Sequence, residues 1–384
     1  FGSDPERVAA LVHAVVTGMR RAGVLTVAKH FPGKGEARVD PHHQLPVLDL
    51  SRERLERIEW VPFRAARDAG VDAVMMGHYA LPQITGRPDL PSSVAREVVD
   101  QVLRIDMGFD GLVITDALDM GALSQGGGSL LEGIAALRAG VDLLLCSADL
   151  ERAEQLARGV NLAHDRGLID QFTISESLRR SSAARSRVGP QRPALDVVAG
   201  QPHQQLSAEL AAKAITLVRD RDDLLPVPTD AKILSVMVHP TDLTPADTSS
   251  CEPPRMAEAL SARFTHVDGQ VVDYVPSAES VHRAVRACAD ADVAVVGTIT
   301  ANAAQAEMVR AISSQVRTIT VALRTPFDLL TYPQVGTHLC SYSLLEPSLL
   351  ALAGAIHGDP VSGTLPVDIG DLHRRGEGMR QGHQ

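Results

Sequence analysis

Short, continuously apolar runs alternate along this chain with longer stretches in which apolar residues recur every three or four positions. The first pattern predicts strands buried on both faces, and the second predicts helices laid against them. Asp4-Pro5-Glu6 is a helix start, with aspartate placed to cap and proline in the first turn; Val8, Leu11, Val12, Val15 and Met19 carry that helix toward Gly23. Strands are then predicted over 24–29, 71–77, 111–115 and 141–146, with helices over 52–69, 94–107, 130–138, 150–166 and 175–188. Such alternation predicts a parallel sheet with helices on its faces. Four βα units are countable where a closed barrel has eight.

Residues 189–206 are rich in Pro, Gly and Gln and read as a linker. The same alternation resumes beyond it. Helices are predicted over 207–214, 278–288 and 303–313, and buried strands over 215–219, 233–238, 293–297 and 318–323. A second α/β domain with a mainly parallel sheet is therefore expected over 207–384, with no internal repeat or low-complexity tract.

Chemistry-bearing residues gather just after the predicted strands of the first half: Lys29 and His30, His78, and Asp116. That is where parallel barrels keep their active sites. The densest stretch is V-A-K-H-F-P-G-K-G-E-A-R-V-D-P-H-H-Q-L-P, residues 27–46, in which Asp40 and His42 flank Pro41. A carboxylate beside an imidazole orients the ring and sets its tautomer, and the proline biases Asp40 toward an extended backbone. Each residue also has a plainer reading. Asp116 at a strand-to-helix junction could cap a helix, His42 could be a solvated loop histidine with His43 beside it, and Lys29 and His30 could be an ordinary polar strand end.

The loop resembles the K-H-F-P-G-H-G-D-x-x-x-D-S-H signature of glycoside hydrolase family 3, in its bacterial β-N-acetylglucosaminidase branch. A second stretch, V-L-R-I-D-M-G-F-D-G-L-V-I-T-D-A-L-D over 102–119, is similar to that family's nucleophile segment. Lys34, Glu36 and Pro41 depart from the signature, where His, Asp and Ser are usual. The second half, in A-A-K-A-I-T-L-V-R-D-R-D-D-L-L-P-V and S-G-T-L-P-V-D-I, resembles the second domain of two-domain members.

The resemblance implies the C-terminal part of a TIM (β/α)8 barrel over 1–188, followed by the second domain. It implies a retaining exo-glycosidase acting on terminal β-linked N-acetylglucosamine of cell-wall or chitin-derived saccharides. Asp116 would be the nucleophile, His42 the acid/base with Asp40 as its partner, and Lys29, His30 and His78 would bind substrate. Asp119 reads as a structural carboxylate. An imidazole with an ordinary pKa of about 6.5 suits proton donation near neutrality. No cofactor is implied. A phosphorylase or a β-glucosidase of the same family fits the same loop, because a histidine, unlike a carboxylate, does not repel phosphate. A non-catalytic carbohydrate-binding protein is the rival, since a half barrel leaves strand edges near 24–29 and 141–146 and an open interior.

Composition narrows this little further. A net charge of −10 over 384 residues leaves no basic footprint for nucleic acid. No run reaches the roughly 20 apolar residues of a membrane span. Cys146, Cys251, Cys288 and Cys340 lie far apart and read as reduced, packed thiols. The histidines lack the short fixed spacings of a metal site. The chain opens at Phe1, so a leader upstream would be invisible; compartment and oligomeric state stay open.

Overall fold

The structure is a computed structural model describing residues 1–35, 37, 41, 43–123, 128–146, 149–189, 194–244 and 246–380. The chain forms two compact units, Phe1–Arg192 and Pro193–Gln384.

In the first unit, β1 (Val27–Phe31), β2 (Ala73–Met76), β3 (Leu112–Ala117) and β4 (Leu143–Leu145) lie side by side in chain order, all parallel. The fold is thus α/β. Helix Pro5–Arg21 precedes β1, capped by Asp4, whose side chain accepts from Arg7 N. Val24 is exposed, and the first strand begins at Val27 rather than at residue 24.

The single helix expected over 52–69 is two, Arg52–Arg57 and Val61–Asp68. Pro62 explains the break: it has no N–H for the carbonyl one turn back, so it fits only the first turn of a new helix. The interruption turns Trp60 inward, where it stacks on Phe31 at 6.2 Å, while Phe63 meets Phe31 edge-on at 5.1 Å. Between β2 and β3 a short helix, Pro82–Thr85, is followed by Glu97–Asp106, which is of the wide π type and buries Val98, Val99, Val102 and Leu103.

The N-terminal ends of the strands are pinned by two buried aspartates. Asp72, just before β2, accepts from Thr26 N and Thr26 Oγ1 at 2.8 and 3.0 Å and pairs with Arg20 at 2.7 Å and with Arg187. Asp142, just before β4, accepts from Val113 N at 2.8 Å, Arg104 at 2.6 Å, Ser177 at 2.9 Å and Arg180 at 3.0 Å. These ties leave the opposite, C-terminal rim free for chemistry. Among the described residues β1 and β4 are the edges of the sheet, with Val27, Leu143 and Leu145 exposed.

The second unit holds a six-stranded sheet of β5 (Thr216–Asp220), β6 (Lys232–Val238), β7 (His266–Val272), β8 (Val293–Thr298), β9 (Arg317–Ala322) and β10 (Thr337–Cys340). Their order is β5-β10-β9-β8-β6-β7, and only the β5–β10 pair is antiparallel. β8 is buried along its whole length, as its V-A-V-V-G-T run requires. A helix, Gln201–Ala214, starts inside the stretch expected to be a linker, because Pro202 fits its first turn and Ala211 packs inward. All four cysteines are free thiols; Cys251, expected to be packed, is exposed in the short turn Ser249–Cys251. No helix among the described residues is long and apolar enough to cross a membrane.

Candidate active site

Three of the six residues expected at the site meet at the C-terminal ends of β1, β2 and β3. His30 reaches from β1 so that its Nε2 lies 3.5 Å from Oδ2 of Asp116 on β3, an ion-pair distance rather than a tight hydrogen bond. Oδ1 of Asp116 accepts from Ala117 N at 2.9 Å, while Oδ2 faces His30, and the carboxylate side chain is 18% exposed. Thr115 is buried, and its Oγ1 accepts from Leu145 N at 2.9 Å. The threonine before the aspartate therefore ties the end of β3 to β4.

His78, two residues beyond β2, is completely buried. Its Nε2 lies 3.2 Å from Ala117 O and its Nδ1 lies 2.8 Å from Ser93 Oγ. A carbonyl only accepts, so Nε2 carries the proton, and in the neutral ring Nδ1 accepts from the Ser93 hydroxyl. Burial pushes the His78 pKa down, against the opposing pull of Asp116 and the carbonyls of Ala117 and Asp116. Gly77 is needed beside it: a Cβ there would come within 2.2 Å of the Tyr79 ring, which folds back over the turn.

Lys29 stands exposed on β1. Asp40 and His42 lie outside the described residues, but Pro41 between them is buried, and its carbonyl accepts from Ala122 N at 3.0 Å. The chain at Pro41 is thereby held against the turn that follows Asp116. The Pro32–Gly35 turn closes over Glu59: Gly33 has φ +105°, and a Cβ on it would sit 2.9 Å from Glu59 Cβ. Glu59 in turn accepts from Arg54 at 3.1 Å. Asp119 and His43 are both exposed. Among the described residues no group of three or more His, Cys, Asp or Glu side chains is arranged to hold a metal ion.

Ser93 and Glu59 were not singled out from the sequence. Ser93 sits in an unremarkable P-S-S-V run, and only its complete burial beside a histidine reveals its part.

Parallel strands, with a carboxylate and two imidazoles gathered where they end, define a barrel-type α/β protein that carries these groups on its C-terminal rim. The chain belongs to glycoside hydrolase family 3. Residues 1–183 match the glycosyl hydrolase family 3 N terminal domain. The family 3 β-N-acetylglucosaminidase of Paenibacillus sp. str. FPU-7 superimposes with a TM-score of 0.86 at 30% identity, over 94% of this chain and 70% of that one. The β-N-acetylglucosaminidase/β-glucosidase of Cellulomonas fimi is 29% identical over 96% of this chain and 70% of its own length. β-Hexosaminidase A of Pseudoalteromonas piscicida is 30% identical over 62% of this chain, and the match spans 43% of that protein.

Proposed function

We propose that this chain carries the nucleophile and the acid/base of a retaining exo-glycosidase that releases terminal β-linked N-acetylglucosamine from cell-wall or chitin-derived saccharides. Residues 1–188 make up its catalytic domain, 189–206 its connection, and 207–384 its second domain. The observation that carries this reading is the Asp116 carboxylate at the C-terminal end of β3, held at Oδ1 by Ala117 N–H, partly exposed, and facing His30 with Oδ2. The names of the relatives, β-hexosaminidase and β-N-acetylglucosaminidase, support the sugar.

In this mechanism Oδ2 of Asp116 attacks the anomeric carbon and forms a glycosyl-aspartate, while His42 protonates the departing oxygen. Water, deprotonated by His42, then attacks the same carbon and releases the sugar with its configuration retained. Asp40 orients the imidazole and stabilises its charged form. Lys29 and His30 donate to sugar hydroxyls. The tie from Pro41 to Ala122 supports this division of roles, because it holds the loop after β1 against the turn after the nucleophile.

The test is turnover of an aryl N-acetyl-β-glucosaminide by the 384-residue chain, with the first-formed anomer read by proton NMR, with and without phosphate. The expected product is the β-anomer of free N-acetylglucosamine. A sugar 1-phosphate formed only with phosphate would make the enzyme a phosphorylase. Preference for an aryl β-glucoside would overturn the sugar assignment, and binding of sugar without turnover would leave a carbohydrate-binding protein.

A further inference from the structure

We propose that His78 and Ser93 form a neutral strut that positions the nucleophile through the Ala117 peptide, so that His78 is a positioning residue and not a sugar ligand. This rests on Asp116 being the nucleophile. The chain of contacts is continuous. Ser93 Oγ donates to His78 Nδ1 at 2.8 Å, His78 Nε2 donates to Ala117 O at 3.2 Å, and Ala117 N donates to Asp116 Oδ1 at 2.9 Å. One residue, Ala117, thus takes the imidazole on its carbonyl and holds the carboxylate with its amide.

Neither ring nitrogen of His78 is left over for a hydroxyl, and the residue has no exposed surface. Both members of the pair are fully buried, so the strut is locked by packing as well as by hydrogen bonds. Ser92, also fully buried, reinforces it: its hydroxyl donates to Gly77 O at 2.7 Å and accepts from Tyr79 N at 3.3 Å, which clamps the turn on either side of His78.

Neutrality gives the arrangement its chemical point. The charged and titratable groups acting on the ring are Asp116 and His30, and His30 already stands 3.5 Å from the carboxylate. A cationic His78 beside Asp116 would stabilise its negative charge in the resting enzyme and weaken it as a nucleophile. A buried, uncharged ring fixes the geometry without adding that charge. Placement matters on this scale, since a nucleophile displaced by about 1 Å can cost on the order of 10²-fold in rate.

The experiment has a spectroscopic and a kinetic arm. Imidazole ¹⁵N NMR of the full chain should show His78 as the neutral Nε2–H tautomer, remaining so as the pH falls through about 6.5. An activated 5-fluoro glycosyl fluoride should label Asp116. His78→Leu should slow labelling on the order of 10²-fold with the half-saturating concentration unchanged. His78→Gln, whose amide can donate to Ala117 O, should recover most of the rate and guards against a leucine variant that does not fold. A ring that is Nδ1-protonated, or that titrates like a solvated imidazole, would overturn the strut whatever the activity. So would His78→Leu and His78→Gln labelling as fast as the unmodified chain, or a loss confined to saturation, which marks a ligand. The expected tautomer, with label found on another carboxylate, would instead remove the reading of Asp116 and with it the purpose of the strut.

Discussion

The imidazole of His30 and the carboxylate of Asp116 stand 3.5 Å apart although β2 lies between their strands in the sheet. Side chains of alternate strands meet on the inner side of a barrel-type sheet, and both residues stand in the last two positions of their strands. The pair therefore marks the C-terminal rim as the place where the chain gathers charge. Asp116→Ala is expected to abolish turnover of aryl N-acetyl-β-glucosaminides, because Asp119, the next carboxylate along the chain, is exposed three residues further on. Azide should then restore reaction on activated substrates with inverted configuration, as a small anion attacks from the vacated side. Near-normal turnover by the variant, or a retained azide product, would remove Asp116 from the role.

His42→Ala is expected to slow glycosides with poor leaving groups by roughly 10²- to 10⁴-fold, the usual contribution of a general acid. Activated aryl glycosides, whose leaving groups need no proton, should lose far less in the glycosylation step. Asp40→Asn should give a milder form of the same pattern. A Brønsted plot against leaving-group pKa separates the cases. Equal losses across the series would shift the role to another group, with His43, exposed beside the loop, the first to examine.

What the sequence made legible follows from how local each signal is. β2 and the first residues of β3 and β8 are continuous apolar runs, and such runs have few other uses in an α/β chain. β7 escaped notice because it is a sheet-edge strand, H-V-D-G-Q-V-V, whose polar positions face water. β10 escaped because it is four residues long and contains His338, a residue whose burial depends on neighbours distant in sequence. The break at Ile58–Trp60 was signalled by Pro62, yet the apolar spacing on either side reads as one helix. At the site, His30, His78 and Asp116 could be placed from strand ends alone. The roles of Ser93 and of Ala117 could not, because they consist of one hydroxyl and one peptide whose contacts exist only in three dimensions.

Asp142 offers a test of the opposite rim. Its carboxylate is wholly buried and neutralises Arg104 and Arg180, whose side chains are mostly buried, while also holding Val113 N. Burial pushes the Arg104 pKa down and Asp142 opposes that shift, so losing the carboxylate leaves a desolvated guanidinium without its counter-charge. Asp142→Ala is expected to destabilise the first unit by about 3–5 kcal/mol, read as protection of the β3 amides in hydrogen exchange. A loss below about 1 kcal/mol, the range of a surface ion pair, would show the network to be dispensable.

The second unit should respond to acid through His338. The ring is fully buried on β10, with Nδ1 2.9 Å from Thr320 Oγ1 and Nε2 3.7 Å from Cys340 Sγ. Burial, reinforced by the nearby Arg219 and His373, brings its pKa down to about 3. A histidine whose folded pKa lies below its unfolded value of about 6.5 binds its proton more readily once unfolded. Its contribution is therefore complete above about pH 6.5 and is lost as the pH falls from there toward about 3, by up to about 1.4 kcal/mol per pH unit. His338→Leu removes that titration without stranding Thr320, whose hydroxyl also reaches Thr337 O at 3.1 Å. Opening free energies from hydrogen exchange of the β9 and β10 amides, measured between about pH 6 and 4, should fall more steeply with acid in the unmodified chain than in the variant. Parallel pH dependences would mean that the ring is already protonated when folded, or that it opens to water before the sheet does.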